Sequence, residues 1–141
     1  MQYIGSMRQY QRLVHANNCV YALHYNLVLV VKRRREALTA PMLEAAEIAI
    51  RERCETRGGQ LEEFGADADH IHSLVSLPPA ATLAEFVNAV KTTTSRRLRR
   101  DFPELRRLGA GLWSPSYFIA SCGGAPLDRI KEYVRSQERP E

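Results

Sequence analysis

The stretch VYALHYNLVLVV, residues 20–31, alternates with period two. Tyr21, Leu23, Tyr25, Leu27, Leu29 and Val31 fall on one side, and Val20, Ala22, His24, Asn26, Val28 and Val30 on the other, which predicts a strand with one face fully buried. The period changes after residue 38. Thr39 is placed to cap a helix, Pro41 suits its first turn and Gly58-Gly59 ends it, while Leu43, Ala46, Ile50 and Cys54 recur at helical spacing. Glu47 and Arg51 stand four apart on the polar side as an ion pair. QLEEFGAD, 60–67, reads as a short strand, and a tight connection at 65–69 leads into a second apolar strand, DHIHSLVSL at 69–77, which LPPAA breaks. Thr82 and Glu85 form a capping box opening a helix with Leu83, Phe86, Val87, Val90 and Leu98 as its apolar stripe and Lys91, Ser95 and Arg99 opposite. Pro103 ends it. SYFIASC, 116–122, is a fourth strand, and Gly123-Gly124 with Pro126 opens a last helix over roughly 126–138.

Strand, helix, strand, strand, helix, strand is the order of an α+β, ferredoxin-like split βαβ fold: an antiparallel sheet with two helices on one side and the other side open. The trailing helix is an extra C-terminal element and carries Tyr133. Neither repeats nor a dividing linker appear, so a single domain over 19–141 is expected, preceded by an N-terminal extension, 1–18. Alternation assigns Ile71, Ser73, Val75 and Leu77 to the helix side and His70, His72, Leu74 and Ser76 to the open side. The two imidazoles are thus expected as a pair presented on the open face, with Asp69 turned away from them.

Composition fits a folded chain: 141 residues, 45% hydrophobic and 26% charged. Twenty Lys+Arg against sixteen Asp+Glu leave a net charge of +4, a bias towards polyanionic partners. The bias is clustered. KTTTSRRLRRDFPELRR, 91–107, holds most of it, and KRRRE, 32–36, forms a second group; Lys91, Arg96, Arg97, Arg99 and Arg100 are the expected phosphate contacts. Cys19, Cys54 and Cys122 are too scattered for a disulfide framework or zinc knuckle. With no apolar run of membrane-spanning length and no signal-peptide core, a soluble protein of the reducing cytoplasm is expected.

Positions i and i+2 on a strand are about 6.5 Å apart, so two imidazoles rooted there can converge on one cation. A third donor must come from elsewhere. In LDRIKEYVRSQ, 127–137, Leu127, Ile130 and Val134 form a packing stripe, with Tyr133 and Gln137 one turn apart on its flank. A phenol can attack phosphorus once deprotonated, and an amide oxygen suits a hard cation. His24 is a fallback ligand or phosphate contact on the same face. Trp113 and Tyr117 are suited to stacking on bases or to packing in the core.

His70-Ile71-His72 resembles the HUH motif, and LWSPSYFIASCGGAPLDRIKEYVRSQ, 112–137, resembles the C-terminal block of the single-tyrosine transposases of the IS200/IS605 family. The resemblance runs from about Val20 to Gln137. It implies a homodimer acting on single-stranded DNA with hairpins near element ends, with Tyr133 as the nucleophile that forms a 5′-phosphotyrosine. His70, His72 and Gln137 would hold Mg²⁺ or Mn²⁺, no nucleotide cofactor would be needed, and the tyrosine helix of one subunit would face the histidines of the other, swinging on Gly123-Gly124. The chain departs from the family pattern at Ala68, where proline is usual, and around Leu29 and Arg33, where aromatic residues are common; loop rigidity is the property this puts in question. Two other readings share the architecture: a non-catalytic or domesticated single-stranded nucleic-acid binder, and a metal-dependent hydrolase of small phosphates.

Overall fold

The computed structural model describes residues 13–121 and 127–137, with backbone alone for 127–131. Gly123, Gly124 and Pro126, Cys122, and residues 1–12 of the expected extension lie outside the described residues, as do the side chains of Leu127 and Ile130. The first predicted strand is in fact two elements. Cys19–Tyr21 (β2) pairs antiparallel with Val14–Ala16 (β1) across a turn in which Asn18 takes φ 64°, a left-handed conformation that asparagine tolerates better than most residues. The main-sheet strand β3 is His24–Val30.

The four-stranded sheet has the order β4-β5-β3-β6, with β4 Gln60–Asp67, β5 His70–Ser76 and β6 Phe118–Ser121, every pair antiparallel. This is the ferredoxin-like order, and two helices, α1 (Ala40–Thr56) and α2 (Leu83–Asp101), cover one face. Leu27, Leu29, Ile71 and Val75 project into that core and meet Met42, Ala46, Ile50, Phe86, Val87, Val90 and Leu98 from the helices. A 3-10 segment, Pro103–Leu108, adds Leu105 and Leu108. Trp113 belongs to this core, and its indole N–H donates to Thr94 Oγ1 at 2.8 Å, so it packs and does not stack on a partner.

Local signals were met unevenly. Glu47 and Arg51 pair at 3.0 Å. The Thr82–Glu85 capping box does not form: Thr82 is the N-cap residue but makes no side-chain cap bond, and Glu85 turns to Arg57 at 3.7 Å, where a cation competes with a neutral backbone N–H.

The second face is not open. His24, Asn26, Val28, Val30, His70, His72 and Ser76 are all buried. Over part of it lies α3 (Leu127–Ser136), which buries Val134, 4% exposed, against Val28 and Val30 with Phe118, Ala120 and Tyr133 alongside. Both faces of β3 are therefore covered.

At the end of α1, a Cβ placed on Gly59 would lie 2.1 Å from the carbonyl oxygen of Ser76 at the end of β5. No flexible side chain can yield there. Gly59→Ala is expected to destabilise the protein by about 1–3 kcal/mol, the usual cost of overpacking; a chemical-denaturation midpoint matching that of the parent chain would contradict this.

Candidate functional site

Cross-strand pairing sets the site's rows. Val30 pairs with His70, Val28 with His72, Asn26 with Leu74 and His24 with Ser76. His70 and His72 thus stand side by side at one end of the face, outside the main hydrophobic cluster yet only 2% and 1% exposed. His24 shares the face but sits at the far end, 3.5 Å from Glu62, so the structure does not bring it to the pair.

Contrary to expectation, Asp69 does not turn away. It lies in the turn before β5, outside the strand's strict alternation, and its Oδ1 is 2.7 Å from His70 Nδ1 while Oδ2 accepts from Arg34 Nε at 3.1 Å. Burial pushes the Asp69 carboxyl up, but His70 and Arg34 together outweigh it and hold the group below its ordinary range. A carboxylate at Nδ1 keeps the proton there and leaves the lone pair on Nε2, the arrangement by which carboxylates orient metal-binding imidazoles. His72 Nε2 lies 3.2 Å from Asn26 Oδ1. Burial, and then the neighbouring His70, lower the His72 pKa to about 4, so its ring is neutral at pH 7, as a ligand must be. Ala68, in place of the family's proline, donates its N–H to Asp67 Oδ1 at 2.8 Å and accepts from Leu38 N at 2.9 Å. Hydrogen bonds hold this loop where a ring would otherwise do so.

Tyr133 reaches the same face from α3. Its ring lies 5.3 Å from that of Phe118, which pairs with Val28, the partner of His72. Phe118 and His72 therefore flank one residue in a single row, about 10 Å apart at the usual strand spacing. The Tyr133 hydroxyl is hydrogen-bonded to Ser116 Oγ at 2.8 Å; burial raises its pKa and the serine partly opposes this. Gln137 is bonded within its own turn, to Tyr133 O at 3.4 Å and Ser136 Oγ at 3.3 Å, and lines a cavity beside Lys32–Arg34. Among the described residues no cluster of three or more His, Cys, Asp or Glu has metal-binding geometry. The two imidazoles fit a divalent ion in charge state and, for His70, in orientation; the amide is turned to its own helix.

The basic set lies on α2, behind the sheet from the histidines. Lys91 donates to the carbonyls of Ser114 and Pro115 at 3.0 and 3.1 Å and stands over the Tyr117 ring, with burial lowering its pKa. Arg97 pairs with Glu52, Arg99 with the Gly109 carbonyl and Arg100 with Asp101; Arg96 is exposed. Sequence reasoning passed over Asn26, Arg34 and Ser116. Asn26 alone carried a signal, as an amide in an aliphatic row.

Residues 19–137 match the family described as Transposase IS200 like. The ISDra2 transposase TnpA of Deinococcus radiodurans is 30% identical over 124 residues, covering 86% of this chain and 89% of that one. The transposase for insertion sequence element IS200 of Salmonella typhimurium is 27% identical over 115 residues, covering 80% and 75%. A 1.90 Å crystal structure of a candidate transposase from Deinococcus radiodurans superposes with a TM-score of 0.81 at 25% identity, over 90% of this chain and 99% of that one. A REP-associated tyrosine transposase bound to a REP hairpin shares the fold, with a TM-score of 0.52 at 13% identity over 79% and 62%. With a family match across most of its length and the fold of these proteins, the chain belongs to the IS200-like transposase family, whose members cut and rejoin DNA.

Proposed function

We propose that this transposase acts on single-stranded DNA at hairpin-flanked insertion-sequence ends, with Tyr133 as nucleophile, a Mg²⁺ or Mn²⁺ ion held by His70, His72 and Gln137, and a homodimer as the working unit. The observation that supports it most is the packing of the tyrosine helix on the histidine face of the sheet. The structural neighbour bound to a REP hairpin supports hairpin DNA as the partner; the dimer enters from the family resemblance. Among the described residues no helix is long and apolar enough to cross a membrane, and Cys19 and Cys54 are free thiols, which agrees with a cytoplasmic setting.

In the proposed step a bond forms from Tyr133 Oη to the scissile phosphorus as the bond to the 3′-oxygen breaks. The phenol gives up its proton and the departing oxygen takes one up, leaving a 5′-phosphotyrosine and a 3′-OH. The covalent link conserves the energy of the cut strand, so rejoining requires no nucleotide. A divalent ion at the imidazoles supplies polarisation of the phosphoryl oxygens and neutralises developing charge. Asp69 orients His70 for that role, and Asn26 positions His72. Burial raises the pKa of the Tyr133 phenol and the Ser116 hydrogen bond lowers it, so that contact partly offsets the cost of forming the attacking phenolate.

Incubated with a labelled hairpin oligonucleotide and Mg²⁺ or Mn²⁺, the protein should form an adduct that survives denaturation, and Tyr133→Phe should abolish it while still binding the hairpin. Binding without any adduct in the parent chain would instead favour the non-catalytic reading; turnover of a small phosphodiester without an adduct would favour the hydrolase.

Acid should weaken the metal-free fold. In the unfolded chain His72 takes up a proton near its ordinary value of 6.5, whereas the folded ring resists until about 4, so stability falls as pH drops through that window. Asp69, with its lowered pKa, loses its contribution in the same direction as the carboxyl protonates. The His72 contribution is on the order of 3 kcal/mol, and His72→Gln should flatten the dependence in melts across this range. Mn²⁺ should raise the melting temperature at neutral pH, lose that effect near the His72 pKa, and be reversed by a chelator; an equal effect on the His70→Ala, His72→Ala double variant would place the ion elsewhere.

A further inference from the structure

Of the basic group KRRRE only Arg34 enters the proposed chemistry, through Asp69, and the group borders a cavity of about 370 Å³. Val31, Lys32, Arg33, Arg34, Ser114, Pro115 and Gln137 line it. Its place follows from the backbone. Val31 N–H donates to the Asp69 carbonyl on one side at 2.9 Å, and Lys32 N–H donates to the Leu112 carbonyl on the other, also at 2.9 Å. The turn Lys32–Arg34 is thus clamped between the loop that leads into His70 and the segment 112–114. The next residue of that segment's loop, Ser116 after Pro115, holds the Tyr133 hydroxyl. The cavity therefore lies beside the loop that holds the Tyr133 hydroxyl and against a turn bonded to the loop into His70.

Two features of the turn point to a ligand. Arg33 and Arg34 both have left-handed backbones, φ 57° and 55°, a conformation that costs any residue with a Cβ and that survives where surroundings over-determine it, often at functional sites. The three cations are also used differently. Lys32 Nζ is fixed on the Ala110 carbonyl at 2.8 Å, and Arg34 is fixed on Asp69 and on the Arg135 carbonyl at the end of α3. Arg33 is exposed, and no hydrogen bond or ion pair among the described residues engages it. Lys32 adds positive charge beside the cavity, Arg34 is matched by Asp69, and Arg33 is left to meet an anion. The volume falls within the range of about 300–1,000 Å³ typical of small-ligand sites, room for a nucleotide.

We infer that this cavity receives a nucleotide of the single strand next to the scissile phosphate, with the Arg33 guanidinium on its phosphodiester. The inference rests on the reading of the protein as a single-strand transposase, and it adds a contact on the turn that the α2 basic set does not supply. Arg33 fixes where the strand runs; the histidine pair and Tyr133 act one linkage away.

The test is binding of a labelled, unstructured oligothymidylate to the full chain in chelator, at a series of salt concentrations. Arg33→Gly removes the side chain while suiting the left-handed backbone, so thermal stability should be kept or raised. It should weaken binding and lower the magnitude of the log–log salt slope by about 0.7, one single-strand phosphate contact. Arg33→Lys should restore most of the slope. Arg51→Gln, on the far side of the sheet, should change neither quantity. An Arg33→Gly slope equal to that of the parent, or an equal fall with Arg51→Gln, overturns the subsite. If the parent binds and the Arg33 effect appears but no Tyr133 adduct forms, the subsite stands and the cutting reading falls; a parent that binds no single strand sinks both.

Discussion

The structure depends on how one strand is shared between two layers. β3 has an aliphatic row on each side, and only one of them is covered by α1 and α2. Val28 and Val30 on the other side need their own cover, and α3 provides it through Val134. Burying a few apolar side chains there is worth several kcal/mol at about 25 cal/mol per Å², enough to seat a short helix that has little stability by itself. The polar residues of that face are buried as well. Their burial then has to be met by partners, which explains the carboxylate on His70 and the amide beside His72.

Enclosure also sets the chemical state of the site. His72 is neutral because it is buried next to another imidazole, Asp69 stays charged because His70 and Arg34 outweigh its burial, and burial pushes the Tyr133 phenol further up while Ser116 partly opposes it. Arg34 joins these parts: its guanidinium contacts the carboxylate behind His70 and the Arg135 carbonyl in the last turn of α3. A cation at a helix C-terminus complements the helix dipole, so this one side chain favours both the orientation of His70 and the docking of the tyrosine helix.

The sheet, its order and both core helices were legible because period-two and helical patterns are local properties, and β4 was read at its observed limits. The rows of β3 and β5 were assigned correctly for the same reason. What the pattern could not convey was that a third helix would return to the second face, since α3's amphipathic stripe reads the same whether it packs on its own sheet or on another surface. The error at Asp69 has a similar origin: alternation stops at the strand's end, and a turn residue obeys hydrogen bonding instead. The failed capping box at Thr82 reflects competition from Arg57, distant in sequence and invisible to a local rule. Helical spacing put Tyr133 and Gln137 one turn apart, whereas the partner of the Tyr133 hydroxyl, Ser116, depended on how a distant loop folds against the helix.

Lys91 shows how far the two sides of the sheet are joined. Its ammonium leaves α2, passes over Tyr117 and is caught by two successive carbonyls of the loop whose next residue holds the tyrosine hydroxyl. A residue that looks like part of a charged surface is thus a rivet through the edge of the sheet. Substitutions along the back of α2 can therefore reshape the reactive side without touching it.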